Sequence, residues 1–201
     1  MSKSSDVVER SFGAQRDGIA AITQITDRFE DADWHRPSAC EGWSALDLAG
    51  HVLTVANLWH DFVDRMEAGE TSPPFRWDDF PDQNAKALAA LPPSSGPERI
   101  TAYVYRAHEW LERVAALDPD QPLGVPPQDV VAPQITLGSF IGASANEWHV
   151  HAWDLGVVSD ERYRPTSPEV LLEGLRSWFP QLESRGDSWR VVVRVNGRSL
   201  T

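Results

Sequence analysis

Apolar residues recur three and four apart in four long stretches of this chain, and proline is kept out of the interior of each. That combination commits the polypeptide to helices before anything else about it is considered. Val7, Val8, Phe12, Ile19, Ile22, Ile25 and Phe29 mark the first stretch, over 6–30. Leu48, Val52, Val55, Trp59, Phe62 and Met66 mark the second, which opens at the capping-box-like Ser44-Ala-Leu-Asp47 and stops at Gly69. Ser95 with Glu98 can cap a third helix running to about Leu117, and Thr136 a fourth over 137–157. Shorter helices are expected at 82–91 and after Ser167, where Pro168 takes the first position. Near the end, Trp189-Arg-Val-Val-Val-Arg-Val195 is rich in β-branched residues and precedes the turn pair Asn196-Gly197, so it reads as a strand. Prolines gather in 71–81 and 118–133, long loops of the kind that matter when they lie over a site. The expected fold is mainly α, a four-helix bundle with long Pro-rich loops and a short C-terminal strand.

Length and charge narrow the roles. With 201 residues, 41% of them hydrophobic, the chain can bury one real core. We assign 1–165 to the bundle and 166–201 to a helix-and-strand appendage. A net charge of −12 disfavours nucleic acid and anionic membrane as partners, since both call for a basic surface. No apolar run reaches transmembrane length, and Met1–Arg10 lacks the apolar region of a secretory signal. The single cysteine, Cys40, excludes an internal disulfide and suits a reducing cytoplasm. Next to the tight Glu41-Gly42-Trp43 turn, it is expected to be half-buried and inert. Either a monomer or a homodimer is compatible with this composition.

The chemistry gathers in Glu147-Trp148-His149-Val150-His151. On a helix, Glu147 and His151 stack one turn apart on one face, while His149 falls on the opposite flank. Taking about 100° per residue, His51 lies roughly 60° from the centre of its apolar stripe and His60 about 120° away, on the polar side. His51 is therefore the inward histidine. Two imidazoles and a carboxylate suit a borderline cation such as zinc, and three protein ligands leave a position open. Plainer readings compete. A histidine beside an apolar face is usually a hydrogen-bonded core residue, and an acid–histidine pair can be a surface contact of a few tenths of a kcal/mol. Glu147 borders a buried stripe, so it needs a partner: a metal is one answer, Arg106 or Arg113 another. His108 and Glu112 form a rival pair without the second histidine of a zincin motif, and we read them as surface residues. Trp148 and Trp153 flank the acid–histidine pair and are candidates to wall a pocket.

Asp33-Trp34, Pro37-Ser38, Glu41-Gly42-Trp43-Ser44, Asp47-Leu48 and His51, followed much later by Glu147-Trp-His-Val-His151-Ala-Trp-Asp154-Leu155, form an ordered set. In that order and at that separation the set resembles the DinB-like metalloprotein superfamily, in its mycothiol-dependent maleylpyruvate isomerase branch. The resemblance implies a DinB-like four-helix bundle whose divalent metal, zinc foremost, is held by His51, Glu147 and His151, with no catalytic side chain beyond the metal centre. It implies mycothiol as co-substrate and a small electrophile as substrate, in an isomerase or S-transferase. Asp154 and, less directly, Asp47 become candidate hydrogen-bond acceptors behind the histidines. Two-domain relatives carry a C-terminal α/β domain that helps hold substrate carboxylates. Here a helix and one strand follow the bundle, so the two long loops become candidate cover and Arg76 a candidate for an anionic substrate. A metal-dependent hydrolase using activated water and a non-catalytic metal-binding stress-response bundle remain the alternatives on the same ligands.

Overall fold

Helices make up nearly all the regular structure over residues 3–70, 79–123, 135–182 and 186–198, which are those described by the computed structural model. In chain order they are α1 (Lys3–Thr26), α2 (Ala45–Glu67), α3 (Phe80–Ala90), α4 (Gly96–Ala115), α5 (Leu137–Gly156), α6 (Pro168–Trp178) and α7 (Ser188–Val195). The starts follow the capping chemistry. Ser44 accepts the Asp47 N–H while Asp47 accepts the Ser44 N–H, and Ser95 with Glu98 repeats the exchange. Thr136 does the same with Ser139 rather than with an acid.

α1, α2, α4 and α5 form the bundle. α1 packs on α5 and α4, and α2 packs on α4 and α5. Aromatic rings fill the space between them: Trp59 meets Trp148 at 4.3 Å and Trp110 at 5.1 Å between centroids, and Tyr103 meets Trp148 at 5.0 Å. Gln15 of α1 is fully buried in this apolar setting because every polar atom of its amide is used. Its Nε2 donates to Ile141 O at 2.7 Å and Ser144 Oγ at 2.9 Å, and its Oε1 accepts the Trp148 indole N–H at 2.7 Å. α6 crosses α5 at glycine on glycine; a Cβ on Gly174 would fall 2.1 Å from the Gly142 carbonyl oxygen.

Two expectations are corrected. Residues 189–195 are helical, not a strand. Among the described residues there are no strands to pair with, only the isolated bridges Pro37–Ser44 and Pro122–Thr136. Trp189, Val192 and Val193, at helical spacing, bury one face against Leu171, Leu172 and Leu175 of α6, and Asp187 caps the helix through the Trp189 N–H. Packing thus overrides β-propensity. His60 is buried, not on a polar face, because α4 covers that side of α2, and its Nε2 donates to Arg106 O at 3.0 Å. Arg76 and the body of both Pro-rich loops lie outside the described residues.

Candidate metal centre

α2 and α5 run side by side, and their contact brings together residues 96 apart in sequence. His51 Nε2 sits 3.1 Å from Glu147 Oε1, and His151 Nε2 sits 3.0 Å from the same oxygen. The three donor atoms all lie within 4.8 Å of one another. His51 and His151 are 4% and 6% exposed, and their rings meet edge-on at 4.9 Å. Among the described residues Glu147 has no arginine partner. Arg106 is taken by Asn57 and Glu109, and Arg113 by Asp64 and Glu67.

The site opens outward. His51, Glu147 and His151 line an open pocket of about 610 Å³, with Trp43, Phe80 and Asn84 on its walls. Of the tryptophans, Trp43 walls the pocket, its ring 4.8 Å from that of His51; Trp148 faces the bundle core and Trp153 the α6–α7 side instead. Trp43 is placed by the Cys40–Trp43 turn, in which Gly42 adopts φ +79°, a left-handed conformation that a side chain would strain. The Ala39 N–H donates to Asp154 O at 3.2 Å and fastens this loop to the end of α5.

Behind His151 stands Asp154. It is fully buried, and its Oδ2 accepts from His151 Nδ1 at 2.8 Å. Asp47 makes no such contact with a histidine among the described residues; its Oδ2 accepts the Ser44 N–H and hydroxyl at the start of α2. His51 Nδ1 is buried with no hydrogen-bond partner among the described residues. His149 points away: its Nε2 donates to Ala14 O and its Nδ1 accepts from Tyr163 OH, while burial pushes its pKa down to about 4. His108 and Glu112 are exposed, as expected. Two contacts at Asp154 are not expected from the sequence, where Cys40 reads as half-buried but inert and nothing singles out Arg198. Cys40, half-buried, donates to Asp154 Oδ2 at 3.1 Å, and Arg198 donates to both Cys40 Sγ and Asp154. Nothing in the local sequence around Arg198 signals this, since it lies 44 residues beyond Asp154.

Electrostatics match the geometry. Burial pushes the His51 imidazole below its ordinary value, against the hydrogen bond to Glu147. For His151, burial acts downward too, but the Glu147 charge and the hydrogen bonds to Asp154 and Cys40 outweigh it and hold the ring well above the usual histidine range. Burial would raise Glu147, yet the two histidines keep it strongly ionised. Asp154 is likewise held low by His151 and Arg198 in spite of its burial. With one oxygen facing two ring nitrogens, the triad is arranged to share a positive charge.

Residues 15–156 match the family described as the mycothiol maleylpyruvate isomerase N-terminal domain. The chain belongs to this family. Membership makes it an enzyme, and His51, Glu147, His151 and Asp154 all fall inside the matched span. The fold agrees with the family. A crystal structure of mycothiol-dependent maleylpyruvate isomerase superposes with a TM-score of 0.62, and a histidine-to-alanine mutant of that enzyme with 0.63. Each is 16% identical, with 87% of this chain and 70% of the other covered, so the likeness speaks for the fold. No curated protein matches the chain. No helix among the described residues is long and apolar enough to cross a membrane.

Proposed function

We propose that His51, Glu147 and His151 hold a divalent cation, zinc foremost, and that the protein uses it to activate a low-molecular-weight thiol, mycothiol, toward a small electrophile, as an isomerase or S-transferase. The observation that carries this reading is the convergence of three ligand-competent atoms at the base of an open pocket. The donor set fits the ion. Both Nε2 atoms face Glu147 Oε1, at 3.1 and 3.0 Å, and the Asp154 carboxylate accepts a hydrogen bond from the Nδ1–H of His151, which keeps the proton on Nδ1 and leaves Nε2 for a ligand bond. Two neutral imidazoles and one carboxylate would leave a divalent ion with a net charge of about +1. When bound, such an ion supplies the Lewis acidity that lowers the pKa of a thiol reaching the open position.

The remaining work belongs to the chain. Glu147 stays ionised between the two histidines. Asp154 fixes the tautomer of His151, and Trp43 packs on the outer edge of His51 and limits water there. Phe80 and Asn84 on α3 give the pocket a wall with one apolar and one amide face for the electrophile.

The test is metal analysis with thiol titration. Cobalt-substituted protein should change its spectrum on adding mycothiol, and incubation with candidate electrophiles should yield thiol adducts or isomerised product by mass. His51→Ala and His151→Ala should each lose well over tenfold in metal affinity. Full metal content in either variant removes that residue from the ligand set. A saturated ion blind to thiol would point to the non-catalytic bundle, and turnover without any thiol to the hydrolase.

A further inference from the structure

His151 belongs to two overlapping donor sets. One ring nitrogen turns to Glu147 and His51, and the other to Asp154, beside Cys40. The Cys40, His151 and Asp154 ligand atoms also lie within 4.8 Å of one another, and thiol, imidazole and carboxylate are a donor set that zinc or cobalt would accept. That second set already holds a cation. Arg198 Nη2 lies 2.7 Å from Asp154 Oδ2 and 2.8 Å from Cys40 Sγ, and its Nε donates to Asp154 Oδ1 at 3.2 Å. The fork grips both carboxylate oxygens, so it sets the plane of Asp154 and with it the oxygen presented to His151 Nδ1. Asp154 is fully buried, and a buried carboxylate needs its charge compensated. Once His151 is neutral, as a metal ligand must be, Arg198 carries the formal positive charge in contact with Asp154.

We propose that Arg198 is a positioning residue that directs the metal to one side of His151: its guanidinium fills the Cys40–Asp154 side, clamps Asp154, and leaves the His51–Glu147 side for the ion. This rests on the reading of His51, Glu147 and His151 as the ligand set. It assigns residues outside the family-matched span a part in building the centre.

Cobalt-loaded protein without added thiol separates the outcomes. Wild type should bind one ion with no thiolate-to-cobalt band. R198A should weaken binding at the original set by about tenfold to a hundredfold and gain a thiolate-to-cobalt band that disappears in R198A/C40S. R198K, which keeps a cation there, should stay free of the band. Thermal unfolding of R198A in its metal-free form checks that it is folded, and a band lost on the Cys40→Ser change cannot arise from general loosening. An R198A protein with wild-type spectrum and affinity within twofold overturns the proposal, as does a band that survives in R198A/C40S. If wild type takes up no metal, the proposed function falls, and the His151 Nδ1–H resonance still judges Arg198. Its loss or displacement in R198A supports the clamp, and an unchanged resonance overturns it.

Discussion

Replacing Gln15 by leucine should damage a bundle that the substitution, by side-chain size alone, ought to spare. Leucine is close in volume and suits the apolar surroundings, so a simple burial argument predicts a gain. The hydrogen-bond count predicts a loss. Gln15 makes three buried hydrogen bonds, two as donor to Ile141 O and Ser144 Oγ and one as acceptor from Trp148 Nε1. After the change, Ile141 O keeps its place in the α5 ladder and Ser144 Oγ keeps its longer bond to Ile141 O at 3.4 Å. The indole N–H is left without a partner in a residue that is 1% exposed. One orphaned buried donor costs about 1–3 kcal/mol, and the forfeited bonds add about 1 more, giving about 2–4 kcal/mol in total. At about 2–4 °C per kcal/mol for a chain of this length, Tm should fall by about 4–16 °C. Thermal unfolding followed by circular dichroism measures it. Pairing Gln15→Leu with Trp148→Phe removes donor and acceptor together, so the double variant should lose less than the sum of the two single variants. A Gln15→Leu protein whose Tm stays within 2 °C of wild type would refute the claim that this amide bolts α1 to α5.

Gly174→Ala should cost about 1–3 kcal/mol or more, because the new Cβ meets Gly142 backbone that cannot step aside without parting α6 from α5; a Tm equal to wild type would show that the two helices can separate freely. Ser44→Ala should cost about 1 kcal/mol by removing the acceptor for the Asp47 N–H at the start of the helix that carries His51, read from the denaturation midpoint. Stripping the proposed metal with a chelator should lower Tm, since an ion present at a hundred times its Kd adds about 2.7 kcal/mol to the folded state. A Tm indifferent to chelator and to added zinc would mean that the triad holds no ion.

The parts of this molecule that could be read from sequence are those that local physics decides. Ser44 with Asp47, Ser95 with Glu98, and Thr136 announce helix starts because the orphan N–H groups of a first turn accept only a short list of partners. Glu147 and His151 were bound to share a face once α5 was a helix. That His51 would meet them needed two helices to pack side by side, which no single stretch encodes; its angle on the apolar stripe only made the meeting possible. Where neighbours decide, local reading fails. His60 seemed polar because one stripe was counted, yet α2 is covered by α4 as well. Trp189–Val195 seemed a strand, yet a strand without a partner leaves its backbone groups unsatisfied, while the same residues wound into α7 satisfy them internally and bury Trp189, Val192 and Val193 together. That choice has a consequence for the site. α7 ends at the Asn196-Gly197 turn, where Gly197 takes φ +75°, and the turn delivers Arg198 to Asp154. Read as a strand, the segment would give no reason for residue 198 to return to α5. The error in secondary structure and the missed arginine therefore have one cause, the packing of α7 on α6. A substitution that loosens that packing, such as Val192→Asp, should disturb the environment of His151 without touching a single residue of the triad.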